Sequence, residues 1–248
     1  MNAEQKTYDE SFFAAEGESS LRAARRIVPL VLHMVPAKSV LDVGCGVGMF
    51  LRGFSECGVG DVQGVDGDYV PAQYRQISPD RFKAHDLNTP FDLGRRYDLV
   101  VSLEVAEHLP AVSADNFVAS LCTHGDVVLF SAAIPGQGGT NHVNEQWPDY
   151  WAAKFAAQGY SCIDVLRPLL WNDPEIDYWY RQNMLFFANA GGLAANPNLE
   201  TVAASAIKWK SLNVVHPELY LVKQKVIGEW ASAFARFKKQ LEDFNKRG

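Results

Sequence analysis

The sequence predicts an α/β fold, a largely parallel sheet with helices on both faces. Three observations carry this expectation. Five short runs read as strands, at 39–43, 62–66, 97–103 and 126–132 with a weaker one at 82–86, and most are rich in apolar residues, as strands buried on both faces are. Stretches of helix-like content at 48–57, 69–77 and 112–122 alternate with them. Glycines crowd the first strand-to-helix turn, 40-VLDVGCGVG-48, and open α/β sheets take their ligands at the carboxyl ends of strands.

The elements follow in order. Ser19 or Ser20 is expected to cap a helix that runs to about Val35, with Leu21, Ala24, Ile27, Val28, Val31 and Leu32 on one face. Pro29 predicts a kink or a division in it. After the fifth strand comes a glycine-rich loop, Ile134 to Thr140. A helix is expected from Pro148 to Gln158, with proline in its first turn and Gly159 at its end. Tyr160–Leu166 and Met184–Ala190 read as the sixth and seventh strands. The 17 residues between them are too few for a crossover helix with its loops, so the pair is expected to be antiparallel. The segment 190–198 reads as a linker. The tail from about Pro217 to Phe244 carries apolar residues at 230, 234, 237, 241 and 244. Those steps suit a helix with a narrow packing seam, docked on the parent domain or forming a homodimer contact. The expected division is a domain over 1–190 and a C-terminal helical extension over 191–248.

Composition narrows the function classes. The 248 residues carry 23 Lys and Arg against 29 Asp and Glu, a formal net charge of −6. No Lys/Arg stripe is visible, so a nucleic-acid partner is not expected. No apolar run is long enough to span a membrane, and the start, MNAEQKTYDE, lacks a signal-peptide pattern. Cys45, Cys57, Cys122 and Cys162 have no metal-type spacing and read as reduced thiols of a cytoplasmic protein.

The glycine turn carries most of the functional information. Gly44, Gly46 and Gly48 let backbone pass close to a ligand where a Cβ would collide. A dinucleotide fingerprint wants a glycine where Met49 stands, so that pattern fails. Asp42 would repel a pyrophosphate but attract a sulfonium or an ammonium. Asp66, 22 residues after Gly44, is placed to accept both hydroxyls of a ribose. Asp86 is placed to receive an adenine amino group, with Leu87 against the ring. Three carboxylates at three successive strand ends line one crevice.

VLDVGCGVG, the acid in GVDGD and the block 98-DLVVSLEVAEHL-109 resemble the class I S-adenosylmethionine-dependent methyltransferases. The resemblance covers about residues 8–190. It implies a Rossmann-like seven-stranded sheet of order 3-2-1-4-5-7-6 with strand seven antiparallel. It implies S-adenosylmethionine as cofactor, held by Asp42, Gly44, Cys45, Gly46, Asp66, Gly67, Asp86, Leu87 and the strand end Ser102, Leu103 and Glu104. The segment 7-TYDESFF-13 resembles a cofactor-covering lid, which would close Tyr8 over the methionine end.

Methyl transfer to a hydroxyl needs a proton acceptor or a metal. His142, in 140-TNHVNEQW-147, and His108 are the candidate bases, with Glu107 as orienter. The E-x-x-E-H of Glu104, Glu107 and His108, with the later His142, is similar to the metal set of ubiquinone-pathway O-methyltransferases and small-RNA 3′-end 2′-O-methyltransferases. That resemblance implies a divalent metal such as Mg²⁺, Mn²⁺ or Zn²⁺, although the R-H-x-D-H pattern of the RNA enzymes is missing. The metal-free alternative puts Glu104 on the cofactor and His108 at a helix end. His33 reads as structural, and His85 and His124 as loop or edge residues.

Acceptor recognition is expected between strands five and seven. There 147-WPDYW-151 and 171-WNDPEIDYWYRQN-183 place Trp147, Tyr150, Trp171 and Trp179 beside polar groups, and Arg181 near a phosphate if one is present. The alternative is that these aromatics fill the core. HVNEQW, WYRQN and 215-VHPELY-220 look like blocks of glycan-pathway methyltransferases. The small-molecule acceptor implied is a saccharide or nucleotide-sugar hydroxyl, ahead of a phenol or quinone precursor. A nicotinamide-dependent oxidoreductase and a non-catalytic cofactor-binding module are the remaining alternatives.

Overall fold

A computed structural model describes residues 10–70, 72–205 and 211–245, with side chains for 17–70, 72–204 and 211–239. It divides into two compact units, with the boundary after Asn213.

The first unit begins with α1 (Glu10–Met34), β1 (Ser39–Val43), α2 (Met49–Glu56), β2 (Asp61–Asp66) and β3 (Phe82–Ala84). Then come β4 (Leu99–Leu103), α3 (Ala114–His124), β5 (Val127–Ser131), α4 (Pro148–Ala157) and β6 (Ser161–Ile163). It closes with α5 (Leu166–Leu170), α6 (Tyr178–Asn183), β7 (Leu185–Ala188), α7 (Ala190–Ala195) and α8 (Pro197–Ser205). The seven strands among the described residues are ordered β3-β2-β1-β4-β5-β7-β6. The strands β1 to β5 pair in parallel, while β7 runs antiparallel to both β5 and β6. Both the sheet order and the antiparallel seventh strand match the expectation.

Strand alternation splits the core into two layers. Val40, Leu99, Val101, Val127 and Leu129 share one cluster with residues of α1, α2, α5 and α6. Leu41, Val43, Val100, Val128 and Phe130 face α3 and α4 in the other. The buried stripe of α1, Ala24, Ile27, Val28, Val31 and Val35, has the helical period. Gly53 lets α2 come close to it, since a Cβ there would lie 2.9 Å from that of Ala24.

Several expected elements differ. The first helix starts at Glu10 and runs unbroken through Pro29, so Ser19 and Ser20 lie inside it and cap nothing. Ser19 instead donates to Asp177. No α-helix is described within 69–77, only a 3₁₀ turn at Ala72–Tyr74. The Gln76 amide donates to the Val47 carbonyl, and Ile77 tucks against Gly48, which ties this segment to the glycine turn. The linker at 190–198 is helical: the Asn189 side chain caps α7 by accepting from the Gly192 amide at 2.8 Å. The sixth strand stops at Ile163, and α5 takes over from Leu166. His124 is no edge residue but fully buried, with Nδ1 facing the Ser120 carbonyl at 2.6 Å and Nε2 accepting from the Leu93 amide.

The second unit contains α9 (Pro217–Asn245). No described helix is long and apolar enough to cross a membrane.

Candidate active site

The carboxyl ends of β1, β4 and β5 open into one cavity of about 380 Å³. Its floor is the glycine turn. Gly44 has φ +82, and a Cβ there would strike the Val105 side chain at 2.3 Å. Gly46 has φ +53 with nothing within 4 Å of a Cβ position, which leaves its backbone open to the cavity.

Two buried carboxyls serve this turn. Asp66, at the end of β2, accepts from the Gly46 amide at 2.6 Å, the Gly67 amide at 2.7 Å and the Tyr69 hydroxyl at 2.7 Å. Asp42 lines the cavity, and burial, followed by the charge of Asp66, pushes its carboxyl up to about 8. Asp86 is exposed and accepts from the Asn88 amide and side chain, which hold its pKa below the ordinary value. Leu87 is buried, as is Ser102, whose hydroxyl meets no partner among the described residues. Cys45, Leu103 and Glu104 line the cavity. Tyr8 lies outside the described residues.

One wall of the same cavity holds the acid–imidazole group. Glu107 is fully buried, and neither carboxyl oxygen makes a well-formed hydrogen bond among the described residues. Burial, then the neighbouring Glu104 charge, raises its pKa well above the ordinary value. The His108 and His142 rings stand edge to face at 4.8 Å. Burial, then the His142 charge, lowers the His108 pKa and favours neutral imidazole. One ligand-type atom from each of Glu107, His108 and His142 lies within 4.8 Å of the others. The post-β5 loop is stitched to this wall by the Val143 and Asn144 amides, which both donate to the Glu107 carbonyl.

Glu104 departs from the expected four-residue set. It sits at a left-handed φ of 54, before the 3₁₀ turn Ala106–His108, rather than on a shared helical turn. Its carboxylate accepts from Asn183 Nδ2 at 3.1 Å and Gln137 Nε2 at 2.9 Å, while its charge stays close enough to raise the Glu107 pKa. Three of the four residues therefore converge, and the fourth forms a buried amide network beside them.

Of the expected acceptor residues, Trp179 lines the cavity, together with Tyr178 and Tyr180 from the same segment. Trp147, Tyr150, Trp171 and Arg181 are not brought into that lining. Tyr150 packs edge-on against Trp151 and under Lys154. Arg181 is buried and donates to the Trp171 carbonyl at 3.1 Å, so its charge serves the loop. Four neighbours of the site were not anticipated: Tyr69, Gln137, Glu145 and Asn183. Only Tyr69 and Glu145 left a local signal, each three residues after a singled-out partner, Asp66 and His142.

Comparison with known proteins agrees with this geometry. No curated protein matches the chain. Among the solved structures similar to it in fold are three methyltransferases. The first is the sugar N-methyltransferase KedS8 from Streptoalloteichus sp ATCC 53650 (17% identity, 76% of this chain and 95% of that one, TM-score 0.57). The second is CalS10, an amino pentose methyltransferase from Micromonospora echinaspora (19%, 76% and 100%, 0.55). The third is the magnesium protoporphyrin IX methyltransferase from Synechocystis PCC 6803 (18%, 75% and 89%, 0.52). A family model described as a methyltransferase domain matches residues 18–166, which span the glycine turn, both acidic strand ends and the acid–imidazole wall. The chain belongs to that methyltransferase family.

Proposed function

We propose that the protein is an S-adenosylmethionine-dependent O-methyltransferase whose acceptor is a saccharide or nucleotide-sugar hydroxyl. The observation that carries the reading is the buried Glu107 beside His108 and His142, lining the same cavity as the glycine turn. A sugar hydroxyl needs its proton taken as the bond forms, whereas a neutral amine attacks with its lone pair.

The glycine turn and its two buried acids fit a ligand that carries positive charge and a ribose. Bound S-adenosylmethionine supplies an electrophilic methyl group on a sulfonium centre. Asp42 would face that charge, Asp66 would accept from the ribose hydroxyls, and the open backbone at Gly46 would admit the ligand. For Asp66 to do so the Tyr69 hydroxyl must swing aside. His142 or neutral His108 takes the acceptor's proton, while Trp179 and Tyr178 offer ring faces to a sugar. Likeness in fold to a sugar methyltransferase and an amino pentose methyltransferase supports the saccharide class. Four free thiols are compatible with a cytoplasmic setting.

The same cluster favours a second reading, in which Glu107, His108 and His142 hold a divalent metal. Two imidazoles and one carboxylate suit Mn²⁺ or Zn²⁺ better than Mg²⁺, which prefers oxygen ligands. The ion would supply a Lewis acid that lowers the acceptor hydroxyl's pKa. One experiment addresses both readings: S-adenosylhomocysteine release over nucleotide-sugars, free glycans, catechols and short RNA ends, with and without EDTA. Turnover confined to one sugar class is expected. Loss in EDTA with rescue by Mn²⁺ or Zn²⁺ selects the metal, and indifference to EDTA selects histidine alone. Turnover confined to catechols or RNA overturns the saccharide acceptor.

Cofactor affinity is expected to depend on pH through Asp42. Below about 8 the free protein keeps a proton on that carboxyl. A cation gains from Asp42 only once the proton leaves. Affinity therefore rises with pH, by at most roughly tenfold per unit, and flattens above that value. S-adenosylhomocysteine, which lacks the sulfonium charge, should show a shallower rise. Calorimetry in buffers of different ionisation enthalpy reads the released proton; equal enthalpies across buffers would remove Asp42 from this role.

The second unit adds a homodimer contact to the reading. Trp230, Phe234 and Phe237 are 73%, 69% and 57% exposed along one seam of α9. The 4-3 spacing continues to Leu241 and Phe244 in the sequence. A 3.5-residue period suits helix-on-helix pairing, and the flanking charges have both signs, unlike the cationic face of a membrane-surface helix. The 29 residues of α9 span roughly 44 Å. Pairing two copies along that length, with aromatic groups in the seam, reaches the range of roughly 1,200–2,000 Å² that stable dimers bury. Light scattering should return twice the chain mass, and the Trp230→Lys, Phe234→Lys double variant should return one. A monomeric native protein would refute the contact.

A further inference from the structure

The loop after β5 contains a carboxylate that neither the methyl-transfer reading nor the metal reading uses. Glu145 Oε1 lies 2.8 Å from His142 Nδ1 and accepts from the Gly138 amide at 2.6 Å. Its Oε2 accepts from the Gly136 amide at 2.7 Å. Both oxygens are thus committed to three donors, all within one turn of loop, and the pair is largely shielded, with 12% of the His142 and 19% of the Glu145 side chain exposed.

The donor pattern dictates the histidine's tautomer. An ionised carboxylate only accepts, so the Nδ1 facing it must carry the proton. The ring's lone pair then sits on Nε2. Gly139 borders that nitrogen: a Cβ there would lie 2.2 Å from Nε2, so only glycine leaves the ring in place. The glycines of 136-GQGG-139 therefore have two duties. Two of them supply amides to Glu145, and one clears the face of His142.

We propose that Glu145 is a positioning residue for methyl transfer: it fixes His142 as the Nδ1–H tautomer and directs the Nε2 lone pair toward the cavity wall shared with His108 and Glu107. The inference rests on the reading that His142 acts in the reaction, and it holds whether Nε2 takes a proton or ligates an ion. Partners of this kind change activity or metal affinity by about ten- to a hundredfold when lost.

Glutamine is the informative replacement. Its amide nitrogen would have to face either the Gly136 amide or the Gly138 amide and His142, donor against donor. Glu145→Gln is expected to lower kcat about ten- to a hundredfold, with the KM for S-adenosylmethionine and the melting temperature little changed. Glu145→Asp should recover part of the loss. The readout that a merely structural role would not move is the His142 tautomer, followed through ring ¹⁵N shifts in histidine-labelled protein at a pH where the ring is neutral. Wild-type protein should show Nδ1–H, and Glu145→Leu, which removes the acceptor in either side-chain orientation, should shift the population toward Nε2–H. Wild-type protein with the proton on Nε2 overturns the proposal, without need of any variant. So does an unchanged tautomer in folded Glu145→Leu or an unchanged kcat in folded Glu145→Gln. If His142→Ala itself leaves turnover intact, the reading beneath the proposal fails instead, and the two failures are told apart.

Discussion

His142→Ala is expected to cut turnover by about 10²–10⁴-fold, the range associated with loss of a positioned acid or base, while cofactor affinity stays essentially unchanged. The separation follows from where the residue sits. Its ring contacts His108 and Glu145, and the Asp66 hydrogen bonds involve neither. Steady-state kinetics and cofactor titration on the same preparation check both halves. Turnover equal to wild type removes His142 from the chemistry and leaves His108 as the base. A parallel loss of cofactor affinity would mean that the post-β5 loop helps to shape the cofactor seat.

Asp66→Ala should abolish measurable cofactor binding. The carboxylate does two jobs. It braces the turn by accepting from the Gly46 and Gly67 amides, and it is the acceptor available to a ribose. A hydrogen bond to a charged group contributes about 1.5–3 kcal/mol. Losing two to a ribose therefore weakens binding by roughly 10²–10⁴-fold, before counting the amides left unsatisfied in the turn. Asp66→Asn keeps the shape, can satisfy only one side with its oxygen, and should fall between wild type and alanine. Titration calorimetry decides: wild-type affinity in Asp66→Ala would place the cofactor somewhere other than this turn.

Most of the fold was legible because its signals are local. Apolar runs of five residues read as buried strands, and α1 shows its buried stripe at helical spacing. The short connection between β6 and β7 revealed their antiparallel pairing. Where reading failed, a tertiary contact had overruled local propensity. Pro29 sits in an unbroken helix. The segment 69–77 exchanged helical hydrogen bonds for one to the Val47 carbonyl. Asn189 and Gly192 turned an apparent linker into a capped helix.

By itself the sequence determined the strand-to-helix turn with its glycines, the acids at the strand ends and the identity of the imidazoles, because each depends on residue type and on spacing of a few positions. Only the tertiary structure decided which of these meet. Glu107 and His142 are 35 positions apart in the chain and converge because β4 and β5 are neighbours in the sheet. Glu104 adopts a left-handed backbone and accepts from Asn183, 79 residues away. Trp179 reaches the cavity while Arg181, two residues on, is buried against its own loop. Residue type sets what a side chain can do, whereas strand order and the backbone at a strand end set what it faces. That second kind of information is carried by contacts distant in sequence, which no local pattern records.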